Sequence, residues 1–72
     1  MMSYNQGDRV KWKWGQGWAY GKIKNSFAEK TTRKIKGTEV TRHGSEDDKA
    51  IYIEQEDGDH VLKLEMRGTA KA

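Results

Sequence analysis

Three observations on this chain predict an all-β fold. Apolar and polar residues alternate at period two in several stretches, glycine-bearing turn signals separate those stretches, and nowhere do apolar residues recur at helical spacing. In the first stretch, Asp8 to Trp14, Val10, Trp12 and Trp14 fall on one face and Arg9, Lys11 and Lys13 on the other. Alternation rich in aromatic and β-branched residues predicts a half-buried strand. Gly15-Gln16-Gly17 predicts a short turn, after which Ala19, Gly21 and Ile23 alternate with Trp18, Tyr20, Lys22 and Lys24. Together the two stretches predict a hairpin.

Thr31 to Arg42, rich in Thr and Lys, reads as a third strand with Ile35 and Val40 as its apolar contacts and a bulge or bend at Gly37. One helical turn fits near Phe27 to Lys30. His43 to Lys49 is a polar loop, and Ala50 to Glu54 alternates again, with Ile51 and Ile53 inward and Tyr52 outward. An Asp57-Gly58 turn signal follows, and Val61 to Leu64 pairs back as the second hairpin. Five short strands of this kind predict a compact barrel or sandwich.

With 72 residues there is room for one domain, and so short a chain buries only about 60% of the surface its unfolded form exposes. Hydrophobic residues make up 33%, charged residues 35%, and mean hydropathy is −1.10. That composition approaches the disordered class, but three Trp, three Tyr and one Phe supply the bulk of a folded core. Residues 1–6 read as a flexible N-terminus, 7–66 as one barrel domain and 67–72 as a flexible C-terminal tail. Cysteine is absent, so disulfides and thiolate zinc sites within the chain are excluded. No apolar run approaches the roughly 20 residues of a membrane helix, and the start lacks a signal-peptide stretch. A cytoplasmic location without membrane contact is expected.

The net charge of +3 is unevenly spread. Through Lys36 there are nine Lys/Arg against Asp8 and Glu29; from Gly37 onward there are five against nine acids. A basic half suits nucleic acid or an acidic protein, and equally a solvated exterior that discourages edge pairing.

Nothing in the chain marks a catalytic or metal centre, and no cofactor is expected. Gly15-x-Gly17-x-x-x-Gly21 is one residue too long for a dinucleotide fingerprint and joins two strands rather than a strand and a helix. These glycines serve the turn and close packing instead. His43 with Asp47 and Asp48, and His60 with Asp57 and Asp59, lie in two different loops, and a calcium-loop frame through Gly58 would begin at Ile53 and end at Leu64, neither a ligand. Ser45 near His43 lacks an elbow or an orienting third group.

The stretches GDRVKWKWGQGWAYGKI and KGTEVTRHGSEDDKAIYIEQEDGDHVLKL, in this order, resemble the hypervirulence-associated protein Tudor domain family. The most specific pieces are Gly7-Asp8 with Val10 and Trp12, Gly21-Lys22-Ile23, Gly44 to Asp48 leading into Tyr52 to Gln55, and Gly58 with Val61 to Lys63. Lys49 departs from the proline the family often carries. The resemblance implies a Src-homology-3-like or Tudor-like five-stranded small barrel without an established catalytic set. Members of the wider Tudor class read methylated side chains or bind nucleic acid. By that resemblance Trp14 and Tyr20, with Trp18 beside them, take cage positions, while Gln55, Glu56, Asp57 and Asp59 stand where further cage aromatics usually do.

Alternation yields the sharpest functional expectation. With Ala19 and Ile23 inward, Trp18 and Tyr20 point outward among lysines, and exposed aromatics interleaved with cations form a stacking platform for nucleic acid. Trp14, Trp18 and Tyr20 are the expected stacking rings, and Lys11, Lys13, Lys22 and Lys24 the expected phosphate contacts. The alternative is a protein-interaction module in which Tyr52 and Trp18 line a concave pocket for a peptide or methylated side chain, with Glu46 to Asp48 attracting its positive charge. A third possibility, an enzyme, would need a pore shared between several copies, because one barrel this small has little room for a substrate pocket. The oligomeric state is open.

Overall fold

The computed structural model describes residues 4–66 and 68–72. Strands β1 (Arg9–Trp14), β2 (Gly17–Phe27), β3 (Lys30–Ile35), β4 (Thr38–His43), β5 (Ala50–Gln55), β6 (His60–Leu64) and β7 (Thr69–Lys71) follow in chain order. An antiparallel sheet runs β6-β5-β2-β1-β7, and β3-β4 form a separate two-stranded sheet lying against β6. The all-β class stands. The strands number seven rather than five, however, and among the described residues hydrogen bonds do not close them into one barrel.

The β1–β2 hairpin has the expected turn. Trp14 pairs with Gly17, leaving Gly15-Gln16 as a two-residue loop with Gly15 at φ 57°. A positive φ at the first loop position matches the right-handed twist of the flanking strands. The stretch read as one strand from Thr31 to Arg42 is instead a second tight hairpin, with Ile35 opposite Thr38 and both Lys36 (φ 51°) and Gly37 (φ 80°) left-handed. Lysine at the first position hides this turn, since Asn or Asp usually stands before such a glycine. Nor is there a helical turn at residues 27–30: β2 ends at Phe27 and β3 begins at Lys30.

Pairing between β2 and β5 shifts between Ile23 and Asn25, so Lys24 is an extra residue in β2. Directly opposite residues of an antiparallel pair share a face, and an inserted residue reverses the alternation beyond it. Ile23 therefore pairs with Ile53 on the inner face, whereas Phe27 joins Ala50 on the other. The inner face carries the main core of Tyr4, Val10, Trp12, Ile23, Ile51 and Ile53, with Ala19 and Val61 packed against it. Each buried aliphatic side chain there stabilises the fold by about 1.5–3 kcal/mol. Leu62 and Ala50 are also buried but lie outside that cluster; register puts them with Tyr52 and Leu64 on the opposite face.

Both ends depart from the expectation that they are loose. Tyr4 is buried in the core, and its hydroxyl donates to the Thr69 carbonyl at 3.0 Å. β7 pairs with β1 from Val10 to Trp12. The buried Glu65 carboxylate accepts the Tyr4 N–H at 3.3 Å and the Lys49 N–H at 3.4 Å. A hydrogen bond from the Asn5 N–H, and then the Lys71 ammonium, hold the Asp8 carboxyl below the usual carboxylate range. Such ties bridge distant positions and leave no local pattern, which is why they escape a reading by periodicity. Residues 1–3 and 67, also assigned to the ends, lie outside the described residues.

Gly21 pairs with Gln55 where β2 runs beside β5. A Cβ there would stand 2.4 Å from Ile53 Cγ2 and 2.8 Å from the Glu54 carbonyl oxygen, while one at Gly17 would meet nothing within 4 Å. Gly21→Ala is expected to cost about 1–3 kcal/mol by overpacking, and Gly17→Ala less than half as much, as measured by urea denaturation.

Candidate nucleic-acid interface

Register sorts the rings and cations of the first hairpin. Lys11 pairs with Tyr20, Lys13 with Trp18 and Arg9 with Lys22. These six side chains therefore share the face opposite the Val10–Trp12 core, as the alternation predicts. Trp18 and Tyr20 are 51% and 38% exposed, large values for residues so costly to leave in water.

Each ring meets a cation diagonally across the hairpin. The Lys11 Nζ lies 5.0 Å from the Trp18 ring centroid, and the Arg9 guanidinium carbon 5.6 Å from that of Tyr20. Contacts of this kind are worth about 0.5–1 kcal/mol when exposed, and here they orient rings that would otherwise rotate freely. Arg9 also pairs with Glu56. Lys24, placed by the β2 irregularity, pairs with Glu54 at 3.5 Å. Lys13 and Lys22 make no ion pair among the described residues. Of the four expected phosphate contacts, then, Lys13 and Lys22 make no ion pair among these residues, Lys11 is held over a ring and Lys24 is matched by an acid. Arg9 shares their face; its place in the same alternating stretch was the signal for it.

Trp14 separates from the other two rings. It shares the face of Trp12, yet at the end of β1 it is 75% exposed. A groove of about 780 Å³ curls round this end of the hairpin, lined by Trp14, Trp18 and Tyr20 on one side and by Lys36, Asp59 and Lys63 on the other. Tyr52 does not line it. Its ring stacks on His60, with centroids 5.0 Å apart and planes at 7°, so the expected concave pairing of Tyr52 with Trp18 is not formed. A diagonal neighbour across β5–β6 claims the ring instead. Beside the groove, a depression of about 550 Å³ brings Lys22 and Lys24 together with Glu54 and Glu56.

With this geometry in view, comparison with known proteins is informative. The profile described as Hypervirulence associated proteins TUDOR domain matches residues 7–66. The chain belongs to this family. No curated protein and no solved structure matches it. The Tudor assignment fits a small β fold and makes the chain a binding module. Tyr4 and β7 lie outside the matched residues, although both pack onto this Tudor domain. No helix among the described residues is long and apolar enough to cross a membrane.

At the groove, Lys36 Nζ lies 2.9 Å from Asp59 Oδ2 and joins the tip of β3–β4 to the β5–β6 turn. This hydrogen bond, and then the Asp59 charge, raise the Lys36 ammonium above its ordinary 10.5. A raised folded value means that the stabilisation is fully present below the unfolded lysine value and disappears as pH climbs through the folded one. Lys36→Met should therefore lower the unfolding midpoint at pH 8, and the gap from the parent should close at a pH above the folded Lys36 value. Equal gaps at both pH values would contradict the ion pair.

Proposed function

We propose that this Tudor domain is a non-catalytic cytoplasmic module that binds nucleic acid, single-stranded or distorted, on the outer wall of β1–β2. The observation that carries the proposal is one face holding two exposed rings, each backed by a cation, between the ammonium groups of Lys13 and Lys22, which make no ion pair among the described residues. Trp18 and Tyr20 are two positions apart on one strand, hence roughly 6.5–7 Å apart along it. That spacing admits splayed bases rather than a stacked duplex. Stacking on exposed rings is tolerant of sequence and is worth about 1–3 kcal/mol per base, while phosphates are drawn to the flanking cations.

A peptide or methylated side chain is the weaker reading. Methylammonium recognition gains from several ring faces converging on one cation, but here cations of the chain itself already lie over Trp18 and Tyr20, and Tyr52 is engaged with His60. Glu56 and Asp59, in the hairpin expected to complete a cage, are likewise matched by Arg9 and Lys36.

Titration with a short single-stranded oligonucleotide, followed by tryptophan fluorescence at several salt concentrations, tests the proposal. Trp18→Ala should weaken binding by about 5- to 100-fold, equivalent to one lost stacking contact. Lys22→Ala should lower the slope of log affinity against log salt by about 0.7. Affinity that ignores salt, or that survives Trp18→Ala unchanged, would remove the outer wall from consideration.

A further inference from the structure

The groove at the Trp14 end carries a charge imbalance of its own. On its acidic side little is left unmatched: Asp59 holds Lys36, Glu56 holds Arg9, and Asp57 accepts the Asp59 N–H at 3.0 Å. Lys63 of β6 and Arg42 of β4 also line the groove. Neither has an acidic partner among the described residues; the Arg42 guanidinium donates only to its neighbour, the Thr41 carbonyl. Lys63 is half-buried, with its Nζ 6.0 Å from the Trp12 ring centroid. Burial first, and then the charge of Arg42, hold its ammonium below the ordinary lysine value. Two cations that line one groove without an acidic partner among the described residues, one of them beside an indole, are poorly placed unless a negative group joins them.

We infer that the space between Lys63 and Arg42, beside Trp12, is an oxyanion site that takes a phosphate of the bound strand. A guanidinium fork and a point-charge ammonium together suit the dispersed charge of a phosphate. Lys13, Trp18 and Tyr20 of the outer wall line the same groove, so a strand stacked on Trp18 reaches Lys63 along it. This inference rests on the nucleic-acid reading for its ligand but not for its geometry. Lys63 and Arg42 carry no motif and come together only through the packing of β4 against β6.

Inorganic phosphate is the first probe, titrated at constant ionic strength against chloride, with the Trp12 indole N–H and the Lys63 side-chain carbons followed by NMR. Saturable phosphate-dependent shifts at both residues are expected, with their loss in Lys63→Gln and a marked reduction in Arg42→Gln. Unchanged Ile51 and Ile53 methyl resonances would establish that the variants remain folded. In the second arm, Lys63→Gln should lower the salt slope of oligonucleotide binding by about 0.7. Absence of phosphate shifts, or their persistence in Lys63→Gln, overturns the site even if Trp18→Ala still abolishes oligonucleotide binding and so upholds the outer wall. Equal shifts with acetate overturn the assignment to phosphate in favour of a carboxylate. Phosphate shifts without any oligonucleotide binding overturn the assignment to a strand and the nucleic-acid reading with it.

Discussion

The pairing of Trp14 with Gly17 across a two-residue connection constrains this molecule more than any other contact. Strand alternation has a period of two, so sliding β1 against β2 by one residue would move every side chain of one strand to the opposite face relative to its partner. Val10 and Trp12 would then no longer share a face with Ala19, Gly21 and Ile23. Gly21 reinforces the register from the other side, because a residue with a side chain could not lie at its distance from Ile53 and Glu54. The inner core and the outer wall are thus two results of one alignment, and the solvent-facing rings are a consequence of burying the aliphatic ones.

Most of the first hairpin was legible because its signals are local. Val10, Trp12, Ala19 and Ile23 alternate cleanly, and Gly15 stands where a left-handed residue is needed. The split of Thr31–Arg42 into β3 and β4 was not legible, since a lysine occupies a position at which Asn or Asp would have announced the turn. Tyr4, Glu65 and β7 were hidden for a different reason. Their partners are about 60 residues away in the chain or on a strand of three residues, too short to show a period. On the candidate site, alternation placed Trp18, Tyr20, Lys11, Lys13 and Lys22 together. It could not say that Glu54 would match Lys24, that His60 would stack on Tyr52, or that Trp14, on the face of Val10 and Trp12, would be left exposed at the strand end.

Charge in this Tudor domain is organised by cancellation. The sequence divides into a basic first half and an acidic second half, and folding lays one upon the other: Arg9 meets Glu56, Lys24 meets Glu54 and Lys36 meets Asp59. Exposed pairs of this sort each contribute little to stability. Their larger effect is subtractive, since Lys13 and Lys22 outside and Lys63 with Arg42 at the groove are among the cations they leave without an ion pair among the described residues. A modest net charge of +3 is therefore compatible with local positive patches.

The irregularity at Lys24 has a further consequence. One continuous strand, β2, serves two apolar layers, because a single surplus residue turns Ile23 toward one and Phe27 toward the other. Chain length is consequently quantised at this point, since each added residue reverses the faces beyond it. Related chains that lose or gain one residue between Gly21 and Phe27 would have to exchange polar for apolar side chains along the remainder of the strand, so variation in length there should travel with a reversed hydrophobic pattern.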